Sequence, residues 1–462
     1  MKRILAALAL ALVPAFAGAG APAEVRARAR EIFEAIIAFR TSVGLGQVPV
    51  MAEYLARTFE AGGFAAGDVR VVPLGETASL VVRYRGTGEG GRPIALLAHM
   101  DVVTARREEW RRDPFVLVEE NGYFFGRGTL DIKCEVALLT ATFLRLKAER
   151  FVPTRDLIIA FSGDEETEMA TSRDLVRNHR DLVDAEFALN GDGGEGILDE
   201  TTGKPLVYHL QGAEKAIASY EFTVHNPGGH SSYPRADNAI YELADALKRL
   251  QAYHFPVMWN EWTIASLRAT AAVTPGALGE AMRRFAADPR DAAAADAIAA
   301  SPQNVGRTRT TCVATMLRGG HADNALPQSA TATVNCRIFP ATGIDEVRST
   351  LEKVAGAGVE VTTLGHPWSS GPSPMRSDVV AAVAEAVHAS WPGVEIVPDM
   401  VPYATEGSVY RAAGIPTYGV CSQFIKDSDV FSHGLDERLP VASFYAGLDH
   451  WYVLLKALAG TR

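Results

Sequence analysis

Two periods of hydrophobic residues alternate along this chain. Val25, Ala29, Ile32, Phe33, Ile36 and Ile37 recur at spacings that place them on one face of a helix. Met51 to Ala61 repeats that pattern and stops at Gly62-Gly63, residues that readily end a helix. Between helical stretches lie unbroken apolar runs of strand length: Ile94 to Ala98, Leu157 to Phe161 and Phe187 to Leu189. Strands without polar alternation belong to a parallel sheet covered on both faces, so residues 24–213 predict an α/β body.

From Lys215 the texture changes. Tyr220 to Val224, Val313 to Leu317 and Ala330 to Ile338 alternate sides as antiparallel strands do, with helices predicted near Asn238 to Gln251 and Ile344 to Val354. Residues 277–302, rich in alanine and charge, predict surface helices with no assignable chemistry. After about Leu364 the α/β pattern resumes, with a strand at Ile415 to Cys421. It closes on a helix whose apolar face carries Val441, Phe444, Leu448, Trp451 and Leu455. A chain of 462 residues exceeds the roughly 250–300 that one core usually serves. The expected division is a mostly parallel α/β body over 24–213 and 365–462, interrupted by a smaller α+β domain over 214–364.

Lys2 and Arg3, an apolar run from Ile4 to Ala17 and the small-residue sites Ala15-Phe16-Ala17, Ala17-Gly18-Ala19 and Ala21-Pro22-Ala23 read as an exported leader over 1–23. The run is shorter than the roughly 20 residues a spanning helix needs, and no other stretch predicts a span. The expected location is therefore secreted or periplasmic. A formal charge of −10 argues against nucleic acid as a partner. The four cysteines, Cys134, Cys312, Cys336 and Cys421, are too few for a disulfide scaffold. Cys312 and Cys336 sit in consecutive strand-like segments and can pair only if register sets their Cβ atoms face to face.

Five short motifs carry the chemistry: His-Met-Asp (99–101), Gly-Arg-Gly-Thr-Leu-Asp (126–131), Asp-Glu-Glu (164–166), Asn-Gly-Asp-Gly-Gly (190–194) and Ser-His-Gly-Leu-Asp-Glu (432–437). Singly, each reads as solvated surface. Three of them, however, directly follow the apolar strand runs, and ligands of such sheets gather outside the carboxyl ends of the strands. A pair of divalent metals needs two imidazoles, terminal carboxylates and one carboxylate able to bridge. His99, Asp131, Glu166, Asp192 and His433 fill that inventory. Asp101 is placed to accept the spare imidazole N–H of His99. Glu165, beside a ligand but not itself one, suits a general base.

These segments, together with Gly-Gly-His-Ser-Ser-Tyr-Pro (228–234), resemble the zinc carboxypeptidase and aminoacylase family that includes carboxypeptidase G, carboxypeptidase S, aminoacylase and succinyl-diaminopimelate desuccinylase. The resemblance runs from about residue 25 to the C-terminus and is nearest the carboxypeptidase S branch. It implies two zinc ions per chain, with cobalt or manganese as alternatives, bridged by Asp131. His99 and Asp192 would complete one site, Glu166 and His433 the other, with Glu165 as the base. It further implies a ferredoxin-like lid and dimerisation domain, and a homodimer in which His230 stabilises the oxyanion in the partner's site. Asn324, Arg337 and Gly407 match positions that bind the substrate. Read without the resemblance, His230 is an exposed loop histidine, and Arg337 is equally a strand arginine paired with a local acid.

The implied activity is hydrolysis of the amide bond next to a free carboxylate, by a carboxypeptidase or dipeptidase. An N-acyl amino acid amidohydrolase is the rival; an aminopeptidase and a metal-dead binding protein are more remote. One segment departs from the family pattern. Thr405-Glu406-Gly407-Ser408 stands where many relatives carry Thr-Asp followed two residues later by arginine, which sets Glu406 near the substrate end as a longer carboxylate and removes a charge at Ser408.

Overall fold

The computed structural model describes residues 20–461, so the expected leader lies almost wholly outside the described residues. A ten-stranded sheet runs through the larger body. Its centre is parallel: Leu157–Ser162, Ile94–His99, Phe187–Asn190 and Thr417–Gly419 lie side by side. One margin is antiparallel: Val69–Leu74 and Thr77–Tyr84 are joined through Gly75 in the left-handed region. The other is mixed: Pro205–Glu214 runs antiparallel to Glu195–Leu198, with Glu395–Val401 added parallel to the first and Phe424–Ile425 parallel to the second.

The unbroken apolar runs are explained by two cores. Ile94, Leu96 and Ala98 face a large cluster that also holds Phe33, Leu55, Leu139, Val383 and Leu455. Ala95 and Leu97 face a second cluster with Leu175, Val409 and Tyr410. Helices Ala23–Ile37, Val48–Ala61, Lys133–Ala148, Ser377–Ser390 and Val441–Ala459 therefore cover one face of the sheet, and Ala170–Asn178 with Gly407–Ala412 the other. The run Ile415 to Cys421 is a strand only over Thr417–Gly419: before it the Ile415 amide donates to the Tyr410 carbonyl, and after it the Cys421 amide donates to the Gly193 carbonyl.

The smaller sheet has the order Thr311–Gly319, Ser329–Ile338, Ala216–His225, Val359–Leu364, all antiparallel. With helices Ala239–Ala252 and Ile344–Ala355 its chain order is strand, helix, strand, strand, helix, strand, the ferredoxin-like arrangement. Its core is a cluster of its own around Tyr220, Phe222, Leu243 and Val334. Cys312 stands directly opposite Cys336 in the register, and the two form a disulfide. Cys134 and Cys421 are buried thiols.

Residues 261–273 lie between two elements of the smaller sheet in sequence but pack on the larger body. Trp262 is fully buried there, its Nε1 donating to the Ser373 carbonyl at 2.7 Å. Gly212 lies flush against the indole: a Cβ at 212 would come within 1.9 Å of it. The alanine-rich stretch forms Gly276–Ala287 and Ala292–Ala299, which bury Met282, Phe285 and Ile298 against Leu267. Among the described residues, no helix is long and apolar enough to cross a membrane.

Candidate metal centre

His99 is the last residue of strand Ile94–His99, Glu165 and Glu166 follow Leu157–Ser162, and Asp192 follows Phe187–Asn190. The three strands are neighbours and parallel, so these side chains meet at one carboxyl edge. Asp131 arrives from the loop before helix Lys133–Ala148, after which the Asp131–Ile132 peptide is cis. His433 comes from the loop before strand Arg438–Pro440.

Two ligand groups result, His99 with Asp131 and Asp192, and Asp131 with Glu166 and His433, the donor atoms of each lying within 4.8 Å of one another. Asp131 belongs to both: its Oδ1 lies 3.1 Å from His99 Nε2 and its Oδ2 3.1 Å from His433 Nε2. His433 Nε2 is also 2.9 Å from Glu166 Oε2, and His99 Nε2 is 4.0 Å from Asp192 Oδ2. The geometry is that of one carboxylate between two sites.

Electrostatics fit the same donor set to divalent cations. Burial, with Asp192 nearby, pushes Glu165 well above the usual carboxylate range. Burial does the same to Asp192, against the pull of His99 and with the push of Asp131. Burial also acts on Asp131, but hydrogen bonds from His433 and His99 outweigh it and hold that carboxylate down. Hydrogen bonds to Asp131 and Glu166 raise His433 to about 10. Carboxylates crowded in a cleft and straining against ionisation are the environment a bound cation relieves.

Asp101 behaves differently from its expected role. His99 Nδ1 donates to the Asp101 main-chain carbonyl at 3.0 Å, while the nearest carboxylate oxygen is 3.5 Å away. The Asp101 carboxylate instead accepts the amides of Glu165, at 3.1 Å, and Glu166, at 3.0 Å. It therefore fixes the turn that presents the candidate base and the adjacent ligand, and the tautomer of His99 is set by backbone. Asp164, the first acid of that motif, turns away and accepts the amides of Ala170 and Thr171 at a helix start.

The smaller domain gathers its own residues. His230 lies on the two-residue strand Gly229–His230, paired with Ala325–Leu326, and the Ser231 amide donates to the Asn324 carbonyl at 3.0 Å. His230 is exposed, with Nδ1 2.7 Å from Ser232 Oγ. Arg337 is half-buried on strand Ser329–Ile338, where burial lowers its guanidinium pKa; among the described residues no carboxylate pairs with it. The reading of Arg337 as a locally paired strand arginine thus fails. Among the described residues, no hydrogen bond or ion pair joins His230, Asn324 or Arg337 to the ligand groups.

Gly407 is buried at the start of helix Gly407–Ala412, its amide on Thr405 Oγ1 at 3.1 Å. A Cβ there would stand 3.1 Å from Thr405 Oγ1 and 3.2 Å from Thr417 Cγ2. Glu406, expected near the substrate end, turns into the interior. It is wholly buried, accepts from Ser172 Oγ at 2.5 Å, and burial pushes it up to about 7.

Two buried carboxylates have supporting roles that the motifs did not disclose. Glu437 accepts the amides of Gly128, Leu130 and Asp131 and pairs with Arg127 at 2.6 Å. Glu214 pairs with Arg411 at 2.5 Å and accepts from Gln211 Nε2 and Thr405 Oγ1. For Glu437 the only signal was an acid ending one motif and an arginine inside another, which no local spacing connects.

Paired candidate ligand groups at the carboxyl edge of a central parallel sheet are what a metal-dependent hydrolase requires. The chain belongs to Peptidase family M20/M25/M40, whose pattern matches residues 95–457. It is similar to a probable carboxypeptidase S-like 2 of Dictyostelium discoideum, 27% identical over 82% of this chain and 74% of that one. It is also similar to the human N-fatty-acyl-amino acid synthase/hydrolase PM20D1, 26% identical over 80% of this chain and 74% of that one. Its fold matches the M20 family metallo-carboxypeptidase Sso-CP2 of Sulfolobus solfataricus with a TM-score of 0.69, at 16% identity over 93% and 99% of the two chains.

Proposed function

We propose that this chain is an exported dinuclear metallohydrolase, zinc-loaded in its native form, that cleaves the amide bond next to a free carboxylate as a carboxypeptidase or dipeptidase. The observation that carries the reading is Asp131, which faces an imidazole with each of its oxygens. Metals held by His99, Asp131 and Asp192, and by Asp131, Glu166 and His433, would polarise the amide carbonyl and lower the pKa of water from about 15.7 toward 7. Cobalt or manganese would satisfy the same oxygen and nitrogen donors. Glu165, outside both groups, takes the proton of the attacking water and returns it to the leaving amine nitrogen. In a homodimer, His230 of one copy reaches the other copy's site and offsets the charge developing on the carbonyl oxygen. Arg337 and Asn324 bind the free carboxylate, to which a guanidinium fork is matched in shape, and Gly407 contributes to the substrate site.

The second reading is an N-acyl amino acid amidohydrolase, favoured by the similarity to a protein named N-fatty-acyl-amino acid synthase/hydrolase. Both readings place a carboxylate beside the scissile amide. A panel of dipeptides and N-acyl amino acids, each with its C-terminal amide, tests them together. Free acids are expected to be cleaved and amides not, and the better acid class ranks the readings. Arg337→Lys is expected to raise KM for the acids about tenfold with metal content unchanged, since one ammonium cannot reproduce two parallel hydrogen bonds. An unaltered KM, or equal cleavage of amides, would remove the carboxylate clamp.

Export is supported by the apolar leader and by the Cys312–Cys336 disulfide, which an oxidising compartment permits. Ala21 is buried and its amide reaches Asp449 at 3.3 Å, which favours cleavage upstream of it. N-terminal sequencing of the exported protein is expected to begin at Gly18 or Gly20; a product that retains Met1 would refute export by this leader.

A further inference from the structure

A cavity of about 740 Å³ opens between the end of helix Ala239–Ala252 and the segment that leads into strand Thr311–Gly319, within the size range of small-molecule sites. None of its lining residues is a ligand or a candidate catalytic group of the metal centre. Leu250, Phe255 and Val305 give it apolar walls, while Arg309, Lys248 and His254 supply its basic groups. No aspartate or glutamate lines it.

Arg309 is the informative residue. It is only 7% exposed, and its Nε and Nη2 are buried without a hydrogen-bond partner. The nearest carboxylate is Asp296, 3.5 Å from Nη2, whose own side chain is 77% exposed and does not line the cavity. A buried guanidinium with unused donors is costly unless an anion meets it. Positive charge is also in excess directly behind it. The Lys215 Nζ, buried, donates to the Arg309 carbonyl at 2.8 Å and lies 3.4 Å from the Arg337 carbonyl. Burial and the Arg337 guanidinium push Lys215 down to about 7.

We propose that this cavity binds an amphipathic carboxylate, its anionic head on Arg309 and Lys248 and its apolar tail against Leu250, Phe255 and Val305. Charge complementarity selects the head group: no carboxylate of the chain lines the cavity, Asp296 meets Arg309 from outside it, and a cation is repelled. The site has two direct links to Arg337. Lys215 bridges the Arg309 and Arg337 carbonyls, and Cys312, a lining residue, is bonded to Cys336, the neighbour of Arg337. Occupancy is therefore read at the strand that carries Arg337; this last step alone rests on the carboxylate-clamp reading above.

The test uses metal-free, full-length protein and decanoate as the probe, followed by titration calorimetry, with decanol and decyltrimethylammonium as neutral and cationic controls. Decanoate is expected to bind saturably and the controls at least tenfold more weakly. Arg309→Leu is expected to weaken decanoate tenfold or more. Lys248→Glu is exposed and leaves the core intact, so it guards against misfolding; it is expected to weaken binding several-fold. Arg337→Ala is expected to retain binding, which separates this cavity from the substrate site. Equal affinity for decanol, unchanged affinity in both Arg309→Leu and Lys248→Glu, or loss only in Arg337→Ala would each overturn the proposal. Given binding, decanoate is expected to shift KM for a dipeptide in the metal-loaded wild type and not in Lys248→Glu; the same shift in both would refute the link to Arg337 while leaving the site.

Discussion

Glu165→Gln is expected to retain two metals per chain and lose about 10²- to 10⁴-fold in kcat, the usual contribution of a positioned base. The substitution changes one atom and keeps the shape of a residue that is only 8% exposed. Its amide still donates to Asp101 at 3.1 Å, so the turn is held as before. Neither ligand group includes Glu165, so metal content has no reason to fall. What disappears is the ability to accept a proton and pass it on. Elemental analysis and steady-state kinetics on one dipeptide, with the same preparation, separate these effects. A kcat within tenfold of wild type would sink the assignment. Lost metal would mean that Glu165 helps build the site.

The centre of this site was legible because each of three motifs ends an apolar run. A strand buried on both faces announces itself as unbroken Ile, Leu, Ala and Val, and in a parallel arrangement whatever follows it lands on a common edge. His99, Glu165, Glu166 and Asp192 come together for that reason. Asp131 and His433 arrive on loops, where periodicity is silent; the ligand inventory named them, and only the resemblance implied which site each completes. Asp101 shows the limit of spacing. Two residues beyond a histidine is close enough for either a carboxylate or a carbonyl to accept its N–H, and only backbone geometry decides between them. Glu406 shows the same limit for direction, since nothing in Thr-Glu-Gly-Ser says that the carboxylate turns inward to Ser172. The packing of residues 261–273 on the larger body was illegible too. Their helical pattern identifies an apolar face, but not whether Trp262 meets the smaller sheet or Gly212.

Glu437→Leu is expected to destabilise the protein by about 3–5 kcal/mol, the range for removing one partner of a buried ion pair. Glu437 is fully buried and Arg127 is 2% exposed, with 2.6 Å between them. The same carboxylate receives the amides of Leu130 at 2.7 Å and Asp131 at 3.0 Å, and that of Gly128 at 3.1 Å. Gly128 holds a φ of 89°, a conformation open to glycine, which lets successive amides converge on one acceptor. Leucine would fill the volume and strand all of these donors in the interior. The consequence extends beyond stability, because Asp131 belongs to both ligand groups and Glu437 lies four residues past His433. One carboxylate thus ties the loop of the shared ligand to the segment of a second ligand. Metal affinity should fall with stability in Glu437→Leu, and fall less in Glu437→Gln, whose carbonyl still accepts amides but cannot neutralise Arg127. Denaturant unfolding paired with metal titration of both variants measures this. An unchanged midpoint with two metals retained in Glu437→Leu would show that the Asp131 loop is held by its own backbone, and that Glu437 only neutralises Arg127.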